Sequence, residues 1–239
     1  MSDTNSTRPK RFYTEVSTAP APDGFTVLLD GRPVRTPGRR IIYVPTIGMA
    51  DGVAGEWSAQ GTHIDAATMP LTRIVNTVVD AIADNPDAVR EDLKPYAQTD
   101  LLFYRADAPE RLVRRQTEAW DPVLQWAESH LGGLFRVAPG IMHVAQPQET
   151  LAAVNGWLEG RRNPFGLAGL HQMTTLTGSL LLAIAVHERR LAVDEAWSLA
   201  HVDEDWNIEQ WGEDEEATLR RQSRYRDMVA AAALVRSDG

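Results

Sequence analysis

Phe25-Thr26-Val27-Leu28-Leu29 is a run of large apolar and β-branched residues that ends on Asp30-Gly31. Both central residues of a tight type I′ turn need positive φ, and Asp-Gly accepts this, so the run reads as a strand that folds back on itself. Working outward, residues 34–36 supply the returning strand. Residues 41–44 follow the Pro37-Gly38 turn as a third, and Phe12-Tyr13 with Val16 add a fourth. Together they predict a small antiparallel sheet.

From Thr46 the period changes from two to about 3.6. Thr46 caps a helix carrying Ala50, Val53, Ala54 and Trp57 on one face, stopped by Gly61. Pro70 opens a second helix with Leu71, Ile74, Val75, Val78 and Ile82 along a core stripe, and Asn85-Pro86 repeats the cap-plus-proline start. Residues 101–104 are an apolar run that fits a strand or a buried helix. Further on, Pro109 opens a helix that Asp121-Pro122 restarts or kinks. Residues 135–137 and 141–144 make a short strand pair around Pro139-Gly140. Asn163-Pro164 starts one long helix running to Ile184, and residues 191–208 and 214–235 form two more. The fold class is therefore α+β, with a small N-terminal antiparallel β-containing domain over residues 11–95 and a helical domain over 96–235.

The composition removes several functions. The chain has no cysteine, which excludes disulfides, thiolate metal sites and thiol nucleophiles and fits a reducing compartment. Its net charge of −9 is the wrong sign for a nucleic-acid backbone binder. The opening MSDTNSTRPK has no signal-peptide or presequence character, and the apolar run near residues 180–186 is too short to insert in a membrane.

Catalytic signatures are missing as well. The chain has no phosphate-cradling glycine loop, no dinucleotide fingerprint and no serine elbow. His201 and Asp205 stand at i, i+4, a spacing that would let both reach one ion, but no second helix offers the remaining ligands, so a capped or hydrogen-bonded histidine is the reading. No cofactor and no metal are expected. The acids Glu204, Asp205, Glu209, Glu213, Asp214, Glu215 and Glu216 flank Trp206 and Trp211, and aromatic anchors rimmed by charge fit a recognition surface. The two tryptophans are five residues apart and so point to different helix faces. The basic clusters at 111–115 and 220–226 read as solvated helix faces.

The segment from His201 to Asp214 (HVDEDWNIEQWGED) resembles the signature of the assembly chaperones that bind the α subunit of the F-type ATP synthase catalytic head, in mitochondria and alphaproteobacteria. Residues 24–37 (GFTVLLDGRPVRTP), 56–76 (EWSAQGTHIDAATMPLTRIVN), 99–105 (TDLLFYR) and 170–179 (LHQMTTLTGS) agree, in order, over roughly residues 11–226. The resemblance implies an adaptor without catalysis that shields the α subunit until β replaces it. It implies an N-terminal α+β domain joined to an orthogonal helical bundle. It carries client binding to Asp203, Glu204, Asp205, Trp206, Glu209, Gln210, Trp211 and Asp214, and a structural or client-binding role to Glu56 and Trp57. Trp57 lies on the apolar stripe, so its own reading is core. A start almost directly at Arg11-Phe12-Tyr13 points to a bacterial cytoplasmic member. The rival expectations are a hydrolase using these carboxylates or a metal, and a permanent structural subunit of a complex; oligomeric state has no signature here.

Overall fold

The computed structural model describes residues 8–140 and 142–235. These fall into two compact units, one ending at Asn85 and the other beginning at Pro86. The fold is α+β, as expected: a three-stranded antiparallel sheet and then a mostly helical body.

In the first unit β1 (Val16–Ala21), β2 (Gly24–Leu29) and β3 (Arg32–Pro33) form the sheet in that order. The Asp30-Gly31 turn is present, with φ of 47° and 75°. The principal partner of β2, however, is β1, whose Val16 pairs with Leu29 and Ala21 with Gly24. Phe12-Tyr13 is not a strand. The sequence Val-Ser-Thr-Ala-Pro-Ala conceals β1, because Pro20 belongs to no central strand but is tolerated on an edge, where β1 lies. The expected strands at 34–36 and 41–44 reduce to single bridges, Arg35 with Ile41 and Phe25 with Val44.

Thr46 caps α1 (Ile47–Ser58) by accepting the Met49 amide at 3.3 Å. The helix ends before Gly61, and its buried face is Met49, Ala50 and Val53. Pro70 opens α2 (Pro70–Thr77), which widens into a π-helical turn over Val78–Ile82.

The second unit starts with α3 (Pro86–Leu93) and the short α4 (Tyr96–Thr99). The ambiguous apolar run resolves into a 3₁₀ turn, Leu101–Phe103, that buries Leu102 and Phe103 and then extends as β4 (Tyr104–Arg105). The expected strand pair around Pro139-Gly140 does not form: β5 (Ala138–Pro139) instead pairs in parallel with β4. Ile141 of that expected pair, like the first seven residues of the polar opening, lies outside the described residues.

Pro122 does not restart a helix; α5 (Glu110–Leu131) runs through it. The carbonyl that proline leaves without a donor is that of Glu118, and both residues are on the solvated face, where water can serve it. A helix not expected from the sequence, α6 (Gln148–Glu159), follows.

The long helix expected over 163–184 is two. α7 (Pro164–Thr177) stops at Gly178, which takes a left-handed φ of 71°, and Ser179 caps α8 (Leu180–His187) by accepting the Leu182 amide. The apolar stripe passes through the break in phase, which is why periodicity hides it. The expected helix over 191–208 also divides, at His201, into α9 (Val193–Ala200) and α10 (Val202–Trp211). Finally α11 (Glu215–Val235) packs along α7. A Cβ on Gly169 would come within 2.5 Å of the Ala231 carbonyl oxygen, so only glycine lets these two helices approach this closely.

Candidate protein-binding site

At the end of α1 the Glu56 carboxylate caps α2. Its oxygens accept the Leu71 amide at 2.7 Å, the Thr72 amide at 2.7 Å and the Thr72 hydroxyl at 2.6 Å. Proline at the first position of α2 leaves few amides for capping, and the negative end group suits the positive end of the helix dipole. Trp57 is half-buried at the margin of the core, edge-on to Tyr13 with ring centroids 5.6 Å apart. The Tyr13 hydroxyl donates to the Trp57 carbonyl at 2.7 Å, while the Trp57 Nε1 is buried without an acceptor.

The acidic segment forms α10 and the loop after it, and its side chains divide between internal partners and solvent. Asp203 accepts 2.6 Å from the amide of Gln116, a residue only 2% exposed, whose own oxygen accepts the Ala106 amide. Glu209 pairs with Arg115 at 2.6 Å, and Arg111 lies over the Trp206 ring at 5.6 Å. The basic residues of α5 taken as a solvated face are thus the seat of α10. Asp205 pairs with Arg221 of α11, so it ties two helices together. Asp214 caps α11 by accepting the Ala217 amide at 2.8 Å. Gln210 is exposed, and Trp211 is 87% exposed.

His201 ends α9 and starts α10. Its Nδ1 lies 2.7 Å from the Trp197 carbonyl and its Nε2 3.7 Å from Glu204. Burial, with the Arg221 and Arg224 charges, holds the imidazole below its ordinary pKa against the Trp197 carbonyl and Glu204, which favour the proton, so the neutral form prevails at pH 7. With Nδ1 against that carbonyl and Asp205 paired to Arg221, the i, i+4 pair is not arranged as a ligand set. No group of three His, Cys, Asp or Glu among the described residues could hold a metal ion.

Between α9, α10 and α11 lies an open groove of about 660 Å³. Trp197, Ile208, Trp211 and Tyr225 give it an apolar lining, and Asp194, Glu204, Glu213 and Asp214 give it an acidic rim. Of the residues named from sequence, Glu204, Trp211, Glu213 and Asp214 meet at this groove. Asp203, Trp206 and Glu209 instead fasten α10 to α5, and Glu56 and Trp57 belong to the first unit. Sequence reasoning missed Trp197, Ile208 and Tyr225. Their only signal was apolar spacing on helices whose boundaries it had merged or left unpaired.

The profile of the family described as ATP12 chaperone protein matches residues 10–128. The crystal structure of Atp12 from Paracoccus denitrificans superposes with a TM-score of 0.88 at 39% identity, over 97% of this chain and 99% of that one. The chain belongs to the ATP12 chaperone family. The Atu1473 protein of Agrobacterium tumefaciens is similar at 49% identity and a TM-score of 0.91, over 96% of this chain and 86% of that one. The mitochondrial protein atp12 of Schizosaccharomyces pombe is 22% identical over 238 residues, 95% of this chain and 81% of that protein. An ATP12 chaperone is a non-catalytic protein of ATP synthase assembly. No helix of this member is long and apolar enough, among the described residues, to cross a membrane. The groove lies beyond the stretch that the ATP12 profile matches.

Proposed function

We propose that the protein holds the α subunit of the ATP synthase catalytic head, in a bacterial cytoplasm, and keeps its apolar subunit-contacting surface covered until β replaces it. The bacterial setting is supported by the two solved relatives, from Agrobacterium and Paracoccus. Client contact is assigned to the segment from Asp203 to Asp214, and within it to the side chains facing the groove. The observation that carries the reading is Trp211, a large aromatic 87% exposed that lines an open apolar groove. Such an exposed aromatic has no role in the protein's own core, while tryptophan is among the residues that contribute most when buried at an interface.

The test is co-purification of the full chain with the α subunit, followed by addition of β. Capture of α alone and release on adding β is the expected result. No capture of α by the wild-type protein overturns the reading. Retention of the protein in the finished head would make it a permanent subunit instead.

A further inference from the structure

The groove has a chemistry of its own that narrows what can enter it. Its 660 Å³ is of the size that takes several buried side chains rather than a single methyl group. Two of its walls are helices, α10 and α11, joined across residues 212–214, and a cleft between two helices is shaped to receive a third. Trp211 and Ile208 on α10 face Tyr225 and Ala217 on α11 across it.

The rim carries charge that the protein itself leaves uncompensated. Asp194 accepts the Tyr225 hydroxyl, Glu213 accepts the Thr218 hydroxyl at 2.8 Å, and Asp214 accepts a backbone amide. Glu204 faces His201, an imidazole that burial keeps neutral. All these partners are neutral. The cation lining the groove, Arg221, is turned to Asp205. Asp214 answers the positive end of α11, but Asp194, Glu204 and Glu213 around the apolar lining leave a negative potential that a basic incoming group neutralises.

We infer that this groove takes one amphipathic helical segment of the client whose apolar face is edged by lysine or arginine. The inference rests on the chaperone reading above and adds the chemistry of the segment that is held. The apolar face displaces water from Trp211, Ile208 and Trp197, while the basic edge meets Glu204, Glu213 and Asp194. An acidic amphipathic segment of equal apolar area is rejected, because it would bring like charges to the rim.

Calorimetric titration tests this with the full chain and two synthetic amphipathic helical peptides of equal length, one built of Leu and Lys, the other of Leu and Glu. The Leu/Lys peptide binds at least about tenfold more tightly than the Leu/Glu peptide, and rising salt narrows the gap. Trp211→Ala and Glu213→Lys each weaken the Leu/Lys peptide by about tenfold or more, while Glu118→Lys, on the exposed face of α5, leaves it unchanged. Equal binding of the two peptides, or binding that Trp211→Ala and Glu213→Lys do not alter, overturns the inference. The same variants are then offered to purified α subunit. Capture of α by wild type and by both variants alike removes the groove and leaves the chaperone reading intact. Failure of wild type to hold α while the groove still selects the Leu/Lys peptide removes the chaperone reading and leaves the groove.

Discussion

At the end of α1, Glu56 gives both carboxylate oxygens to the first turn of α2, and Trp57 beside it turns its ring against Tyr13. Along α10 the same two residue types are arranged the other way. Asp203 and Asp205 hold the helix to its neighbours, but Glu204 and Trp211 remain at an open groove. An acid next to a tryptophan thus carries no fixed meaning. What separates the two regions is whether an amide, of backbone or side chain, or a cation of the same molecule is already within reach of the carboxylate. In the first region every acceptor of the acid is used internally. In the second the fasteners and the free groups alternate along one helix, so that the fasteners hold the free groups in place.

The largest effect that sharpens this contrast concerns Asp100, the most inward carboxylate of all. It is fully buried and accepts the Leu181 amide at 3.0 Å and the Leu102 amide at 3.1 Å. Burial pushes its pKa up from 3.8 to about 6, against the pull of the Leu181, Ser179, Leu102 and Leu180 donors. Between those two values the folded protein keeps a proton that the unfolded chain has lost, so stability falls as pH rises from 4 to 6 and stays lower above it. The change is about 3 kcal/mol at 1.36 kcal/mol per unit. Urea unfolding of wild type and Asp100→Asn from pH 4 to 7 measures it. His201 contributes the opposite slope below pH 6.5, but it is common to both proteins and cancels in the difference. Equal slopes would make Asp100 an ordinary cap and narrow the contrast.

Next in size, Glu56→Ala removes three charge-assisted hydrogen bonds from the start of α2 and lowers stability by about 2 to 3 kcal/mol. Glu213→Ala, by contrast, shifts stability by no more than about 0.5 kcal/mol, because Glu213 is exposed and its partner is a hydroxyl. Denaturant midpoints of the two variants read this directly, and similar losses for both would break the comparison.

The smallest effect separates two indoles. Trp57→Phe deletes a buried N–H that has no acceptor, so the loss is within about 1 kcal/mol. Trp120→Phe costs more, because Trp120 is 1% exposed and its Nε1 donates to the Leu199 carbonyl at 2.8 Å, which the change leaves orphaned. Thermal melts of the pair give the order, and its reversal would show that the Trp57 indole has a polar role.

What was legible in the sequence follows from what is local. The Asp30-Gly31 turn, the Thr46 cap and the proline starts at 70, 86 and 164 all depend on neighbouring residues, and each is where it was expected. β1 was not legible because its partner is chosen by pairing and not by its own propensity. The breaks at Gly178 and His201 were hidden by apolar stripes that continue across them. In the candidate site, the ordered segments and the acid–tryptophan composition pointed to α10. The groove itself needs α9 and α11 beside it, and the capping of α2 by Glu56 spans fifteen positions in a way no spacing rule predicts.

The close approach of α7 and α11 at Gly169 has a mechanical consequence. The last turns of α11 bury Met228, Ala230, Ala231, Ala232, Leu234 and Val235, and Ala231, Leu234 and Val235 meet α7 at Gly169. Its first turns carry the groove wall and are held by polar links, Arg221 to Asp205, Tyr225 to Asp194 and Arg224 to the Leu176 carbonyl. The helix is a beam of about 31 Å clamped at one end and guyed at the other. The root of the beam is thus fixed by packing that tolerates no added atom at Gly169, whereas the width of the groove is set by three side-chain links.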